Sequence, residues 1–276
     1  MIYKFFNLRN KLPKLLTKLI PKFIRKRINK KFFNFYFIPT DHSKLLNDNY
    51  TNNNNYDYQK KLIDDYKHNF QQNSFMTCPH LIELLLMKFN SDDEIMFLDM
   101  GADHIDFFLK LNNKFKNMKY YFCNLKSVNS VFEKLKHENN YKNMFIIDTI
   151  DDVSNKKFDF INFGSSIEYF ENYEDVLNKA SNMGKNIFFS GTTLFDSKNE
   201  KYNKHIIVKQ VNTYPDINYL YFFNKQFFYS IFLKSNFKLL FEKKNITDNV
   251  DYNNFHKIFE NINYMDFLFS KKDEIN

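Results

Sequence analysis

From Ile95 onward the chain alternates short apolar runs with segments of helical period. The runs at 95–99, 119–123, 143–147, 158–164 and 186–190 have the length and near-continuous apolarity of strands buried on both faces. Between them, 105–115, 127–139 and 172–183 repeat apolar residues every three or four positions, as a helix with one buried face requires. This alternation predicts an α/β fold with a mostly parallel, doubly wound sheet and helices on both sides. A polar stretch, Gly191 to Asn218, then reads as a long connection. Asn224 caps a helix to Leu233, and 237–242 and 264–269 read as two closing strands, which makes seven in all.

The pattern upstream is different. Tyr58 to Phe70 places Leu62, Ile63, Tyr66 and Phe70 on one side of a helix, and Pro79 opens a second helix ending at Phe89. The second is apolar nearly all round, the signature of a buried helix. Residues 39–92 therefore read as a helical extension of an α/β domain at 93–276. In residues 1–38, Leu12, Leu15, Leu16, Leu19, Ile20, Phe23, Ile24 and Ile28 recur at helical spacing among lysines, with Pro21 as a kink. The apolar segments of this arm are too short and too charged to span a bilayer, and it lacks the continuous apolar core of a secretory signal.

Charge sharpens the division. The net charge is +8, but eleven of the 40 Lys and Arg lie within residues 1–31, and no acid precedes Asp41. The rest carries 29 basic against 32 acidic residues, a balance of −3. The body thus lacks the basic character of a nucleic-acid-binding domain. The arm suits an anionic membrane surface, where each basic residue contributes roughly 1 kcal/mol; docking on its own domain is the alternative. Cys78 and Cys123 form no CxxC or metal spacing, so they read as reduced thiols of a cytoplasmic protein, and no metal is expected.

Candidate chemistry sits where the strands end. Phe97-Leu98-Asp99-Met100-Gly101 is a buried strand, an acid and a glycine turn into a helix, the place where an open α/β sheet receives a nucleotide-like ligand. Asp103 follows in the turn. Asn124 ends the second strand, and Asp148 ends the third, well placed to face a base. The fourth strand runs into Gly164-Ser165-Ser166, where small hydroxyl residues let a substrate approach. His104, Tyr169 and His205 are candidate acid–base residues by location. The chain contains no HExxH, P-loop or GxSxG pattern, so hydrolase and nucleotidase readings lack support.

The run Gly164-Ser165-Ser166-Ile167-Glu168-Tyr169-Phe170 resembles the Ser-Ser and Tyr signature of a family of class I methyltransferases often found with surface-polysaccharide genes. Phe97 to Gly101, Asp148 to Asp152, Glu171 to Leu177, Val208 to Val211 and Tyr219 to Asn224 line up with its other motifs in order, over roughly residues 56–270. The resemblance implies a Rossmann-like class I methyltransferase fold. It also implies S-adenosylmethionine (SAM) at Asp99, Gly101, Asp103, Asn124, Asp148, Ser165 and Ser166, and a small-molecule acceptor such as a sugar or glycolipid. That acceptor would be met at the cytoplasmic face of a membrane. Three positions depart from the family pattern. Ala102 to Ile105 replace its further glycines, Asn124 its ribose-binding acid, and Gly191-Thr192-Thr193 its Arg-Thr-Pro. Either SAM is held in an altered way, or the fold serves a non-catalytic, surface-anchored protein.

Overall fold

The computed structural model describes residues 36–39, 56–68, 79–102, 104–197, 199–213, 216–245 and 260–274. In chain order the elements are β1 (Tyr36–Pro39), α1 (Tyr56–His68), α2 (Pro79–Lys88), β2 (Glu94–Met100), α3 (Asp106–Lys114) and β3 (Asn117–Cys123). Next come α4 (Lys126–Asn139), β4 (Met144–Ile147), β5 (Phe158–Gly164), α5 (Tyr173–Met183) and β6 (Gly184–Asp196). The chain continues with β7 (His205–Thr213), β8 (Asp216–Asn224), α6 (Lys225–Lys234), β9 (Phe237–Lys244) and β10 (Glu260–Lys271). A short 3-10 turn, Ile167–Tyr169, follows β5. Arm residues 1–35, Cys78 and Asp103 lie outside the described residues.

Seven strands lie in the order β4-β3-β2-β5-β6-β10-β9. The first five are parallel, and β10 runs antiparallel between β6 and β9. This is the mostly parallel, doubly wound sheet expected from the alternation, and the Rossmann-like fold that the resemblance implied. Its strand order reverses between β2 and β5, because β2 is followed by β3 and β4 on one side while β5 and β6 extend the other.

Pleating sends Phe97, Phe160 and Phe188 to one face, where they meet Phe108 of α3, Phe132 of α4, Leu81 and Leu85 of α2 and Ile63 of α1. Leu98, Ile161, Ile187 and Phe189 face the other way onto Val176 and Leu177 of α5 and Phe228 and Phe232 of α6. Both faces are covered, which is why the strands read as continuous apolar runs. α2 is buried on one side only. Leu86 and Met87 point outward, so its all-round apolarity overstated its burial. Asn224 caps α6 as expected, accepting from the backbone N–H groups of Gln226 and Phe227 at 3.1 and 3.3 Å.

The stretch read as a long connection is largely strand. β6 continues past the end of β5 to Asp196, and β7 and β8 form an antiparallel ribbon joined to it at Leu194↔Phe223 and Phe195↔Asn224. β1 adds to the outer edge of β7. The ribbon is apolar on both faces. Ile207, Tyr221 and Phe223 join the α5–α6 core, while Ile206, Val208, Leu220 and Phe222 pack with Phe195 and Tyr169. The polar residues between β6 and β8 masked this pattern. No helix among the described residues is long and apolar enough to cross a membrane.

Candidate functional site

The carboxyl ends of β2, β3, β4 and β5 bring Asp99, Gly101, Asn124, Asp148, Ser165 and Ser166 to one edge of the sheet. In an open α/β sheet, the crevice at the switch point is where a ligand is received. Here that crevice lies between Gly101 and the Ser165-Ser166 turn.

On the β2 side, most polar atoms are engaged within the chain. The buried Asp99 carboxylate accepts from the Tyr120 hydroxyl and from Asn162 Nδ2 at 2.7 Å. Gly101 has φ +78°, and a Cβ there would stand 2.3 Å from the Ser166 Cβ. Only glycine satisfies both demands. Ser166 in turn donates to the Met100 carbonyl at 2.6 Å, which latches β5 to β2 across the crevice. Asn124 donates to the Ala102 carbonyl at 2.6 Å and accepts from the Leu125 N–H at 2.8 Å. An acid at position 124 would set its oxygen against that carbonyl, so the amide is the fitting choice. Ile105 is fully buried in the core beneath the turn, and its N–H is bound by Gln59 Oε1 at 3.0 Å.

Farther out, a cavity of about 430 Å³ opens between α4 and the edge strand β4, lined by Asn129, Ile147 and Asp148 among others. Its volume falls within the range of small-molecule sites. Asn129 Nδ2 donates to the carbonyls of Asn124 and Ile147 and to Asp148 Oδ1, at 2.8–2.9 Å, while its buried Oδ1 has no partner. Leu125, next to Asn124, leaves 58 % of its surface exposed at this edge. The sequence reading missed both. An exposed leucine just after the second strand was the available signal.

The β5–β6 side is built differently. Ser165 has φ +51°, a left-handed conformation rare for serine, and Gly191 in β6 has φ +63°. The Ser165 hydroxyl lies 3.0 Å from the Ser190 carbonyl and 2.8 Å from the Tyr264 hydroxyl of β10. A Cβ on Gly191 would stand 2.4 Å from both hydroxyl oxygens. A register shift in β10 between Met265 and Phe267 accompanies this approach, and the buried Asp266 collects the Gly191 N–H at 2.7 Å and the Ser190 hydroxyl at 3.2 Å.

Beyond Ser190, β6 has lost β5 as a neighbour and has not yet met β8. The Glu168 side chain fills this gap, accepting the Thr193 N–H at 3.2 Å, while its Oε2 has no partner. Burial pushes the Glu168 carboxyl up to about 8. Nothing in the sequence set this glutamate apart, because the gap it fills is made by strands distant in the chain.

The candidate acid–base residues do not gather. The Tyr169 hydroxyl donates to Gln210 of β7 at 2.8 Å. His205 sits at the base of the ribbon, 2.9 Å from the Tyr173 hydroxyl, with burial holding its pKa below the usual value. His104 faces α1, its ring edge-on to Tyr58 at 5.6 Å. Cys123 is a buried thiol, pushed by burial up to about 12.

No family model matches the chain, and no curated protein does. Solved structures match the fold. A 1,6-didemethyltoxoflavin-N1-methyltransferase from Burkholderia thailandensis, with bound 1,6-didemethyltoxoflavin and S-adenosylhomocysteine (SAH), is 9% identical. It aligns over 85% of this chain and 94% of its own with a TM-score of 0.52. The N-terminal domain of EvdMO1, crystallised in the presence of SAH and D-fucose, is 8% identical, over 73% and 85%, with a TM-score of 0.52. At these identities the likeness establishes the class I methyltransferase-like fold. The finer resemblance to the polysaccharide-associated family rests on the residues quoted for it.

Proposed function

We propose that this protein is a SAM-dependent methyltransferase acting on a small-molecule acceptor. The observation that carries the reading is the convergence of Gly101, Asp148 and the Ser165-Ser166 turn on the carboxyl edge of the sheet, around its switch point. The residues fit the nucleoside end of such a cofactor. The exposed Asp148 can accept from an exocyclic amine, and Leu125 offers an apolar face. They fit the ribose less well, because both amide atoms of Asn124 are already engaged. We therefore assign weak binding, with Asp99 acting through the bonds that hold the end of β2 and Asp103 as a further cofactor-binding residue.

When bound, SAM supplies an already activated methyl on a sulfonium. The protein's share is then to align an acceptor and keep water away. The Ser165-Ser166 turn does the aligning in this reading. A sugar or glycolipid acceptor is the finer assignment, supported by the signature resemblance and by the presence of D-fucose with one structural neighbour. Calorimetry of the full chain with SAM and SAH is the test. We expect saturable heat from both, and none at millimolar ligand would remove the enzyme reading.

One observation favours a second reading. Ser166 occupies the crevice over Gly101, and Asn124 ties β3 to the β2 turn, as in a fold kept for its shape. A non-catalytic protein held at the inner face of an anionic membrane by residues 1–38 would have this form. It predicts no SAH binding, together with liposome association that falls with salt and with deletion of residues 1–35, which spares β1.

A further inference from the structure

We infer that the turn Ile167–Tyr169 is a latch between the sheet and the β7–β8 ribbon, and that proton loss at Glu168 releases it and lets the ribbon part from β6. The inference is independent of the methyltransferase reading, because it concerns how the sheet is closed and not what the crevice binds.

The latch sits where two strands fail to meet. β6 leaves β5 after Ser190 and pairs with β8 only at Leu194↔Phe223 and Phe195↔Asn224. Carried back along both strands, that parallel register sets residues 219–222 of β8 opposite residues 190–193 of β6, and these stretches are not paired. The turn fills the opening between them. Ile167 packs into the α5–α6 core, whereas Tyr169 packs against the cluster of Phe195, Val208 and Phe222 on the other side. Glu168, between the two, therefore lies in the plane of the sheet, and only 4% of it is exposed.

The two ends of the turn are tied to different bodies. On the leading side, the Ser165 N–H donates to the Ser190 carbonyl at 2.7 Å, and the Ser166 hydroxyl donates to Met100 of β2. On the trailing side, the Tyr169 hydroxyl donates to Gln210 of the ribbon at 2.8 Å. Glu168 closes the space between by accepting the Thr193 N–H at 3.2 Å, which stands in for the missing strand pairing.

A neutral carboxyl suits this place and a carboxylate does not. Glu168 Oε2 has no partner, and the buried Thr192 Oγ1 on the same stretch of β6 does not engage it. β6 carries no titratable group between Lys185 and Asp196. The neighbouring elements bring Tyr219 and Tyr221 of β8, Lys209 of β7, Tyr173 and Glu174 of α5 and Asp266 of β10, and the turn itself is followed by Glu171. None of these acts on the Glu168 charge. Only its own N–H and that of Thr193 favour the ionised form, and burial outweighs both. An uncompensated buried charge either keeps its proton or moves to water. The latch is thus firmest below the ordinary glutamate range. It weakens about tenfold per pH unit as pH rises toward about 8, and no further above that.

Hydrogen exchange of the full chain at pH 5.5, 7 and 8.5, read by mass spectrometry and corrected for the intrinsic rate at each pH, tests the latch. We expect peptides from the turn, β7 and β8 to lose protection by at least about tenfold between the lowest and highest pH, while those from β2 and β3 stay within about threefold. Glu168→Gln should hold the ribbon's protection constant. Glu168→Leu, which occupies the gap with no proton to lose, is the second neutral variant. Ribbon protection that ignores pH in the wild type, or that falls equally in a neutral variant, would overturn the inference. So would an equal loss in β2 and β3, because Glu168 would then act on the whole fold and not on a latch.

Discussion

The two halves of the carboxyl edge use their polar groups in opposite ways. Around β2 and β3, Asp99 and Asn124 are spent on neighbouring strands and turns, and Ser166 seals the crevice between β2 and β5. Around β5 and β6, the chain accepts positive φ at Ser165 and Gly191 and leaves a buried carboxyl oxygen of Glu168 without a partner. Buried polar groups are normally satisfied, and strained backbone persists only where structure enforces it. The first half therefore reads as a scaffold consolidated around Gly101, with Asn129 Oδ1 left unpartnered at its outer edge, and the second as the half where a positive-φ serine and a buried acid meet.

The largest effects should come from the two glycines that let each half close. Gly101→Ala forces a Cβ onto Ser166, and Gly191→Ala forces one onto Ser165 and Tyr264, each at positive φ. We expect each to lose about 2–4 kcal/mol in urea unfolding. Ser166→Gly should recover part of the Gly101→Ala loss and none of the Gly191→Ala loss. Recovery of both would mean that the halves are one unit.

The next effect is of pH. Glu168, raised to about 8 by burial, binds its proton in the folded chain over a range where the unfolded chain has released it. Its stabilising contribution is full below the ordinary glutamate range and is lost as pH rises through about 8, by an order of a few kcal/mol. Urea unfolding at pH 5, 7 and 9 should show this decline, and Glu168→Gln should flatten it. An unchanged slope in the variant would remove Glu168 from the comparison.

Asn124→Asp probes the consolidated half. The new carboxylate would face the Ala102 carbonyl, so we expect a loss of about 1–2 kcal/mol. Under the donor reading the same change restores a ribose-binding acid, and SAH affinity by calorimetry should rise several-fold. A loss of stability with no gain in affinity would favour the scaffold reading for this half. The smallest effect should be that of Tyr264→Phe, which removes one half-buried hydrogen bond and should cost about 0.5–1 kcal/mol in the same unfolding assay.

The strands from β2 to β5 and the helices α3 to α5 fall within about two residues of their expected limits. Asp99, Gly101, Asp148 and the two serines stand at strand ends as their spacing implied. The ribbon of β7 and β8 escaped notice because it is apolar on both faces, so its residues do not alternate, and polar turns interrupt it. Tyr264 and Glu168 escaped because each acts on a strand reached through a long excursion of the chain. Ser165 and Tyr264 are 99 positions apart.

By itself, the order of residues determined the alternation of strands and helices, the capping of α6 and the separation of a basic arm from a near-neutral body. These follow from side-chain period and local hydrogen bonding, which act over a few residues. Only the tertiary structure decided that Ser166 closes on Gly101 while Ser165 turns to Tyr264, that Asn124 is consumed by a carbonyl, and that Glu168 fills a gap in the sheet. Those outcomes depend on which backbone edges meet. The peptide groups that make such meetings are the same at nearly every position, so they leave little trace in the sequence.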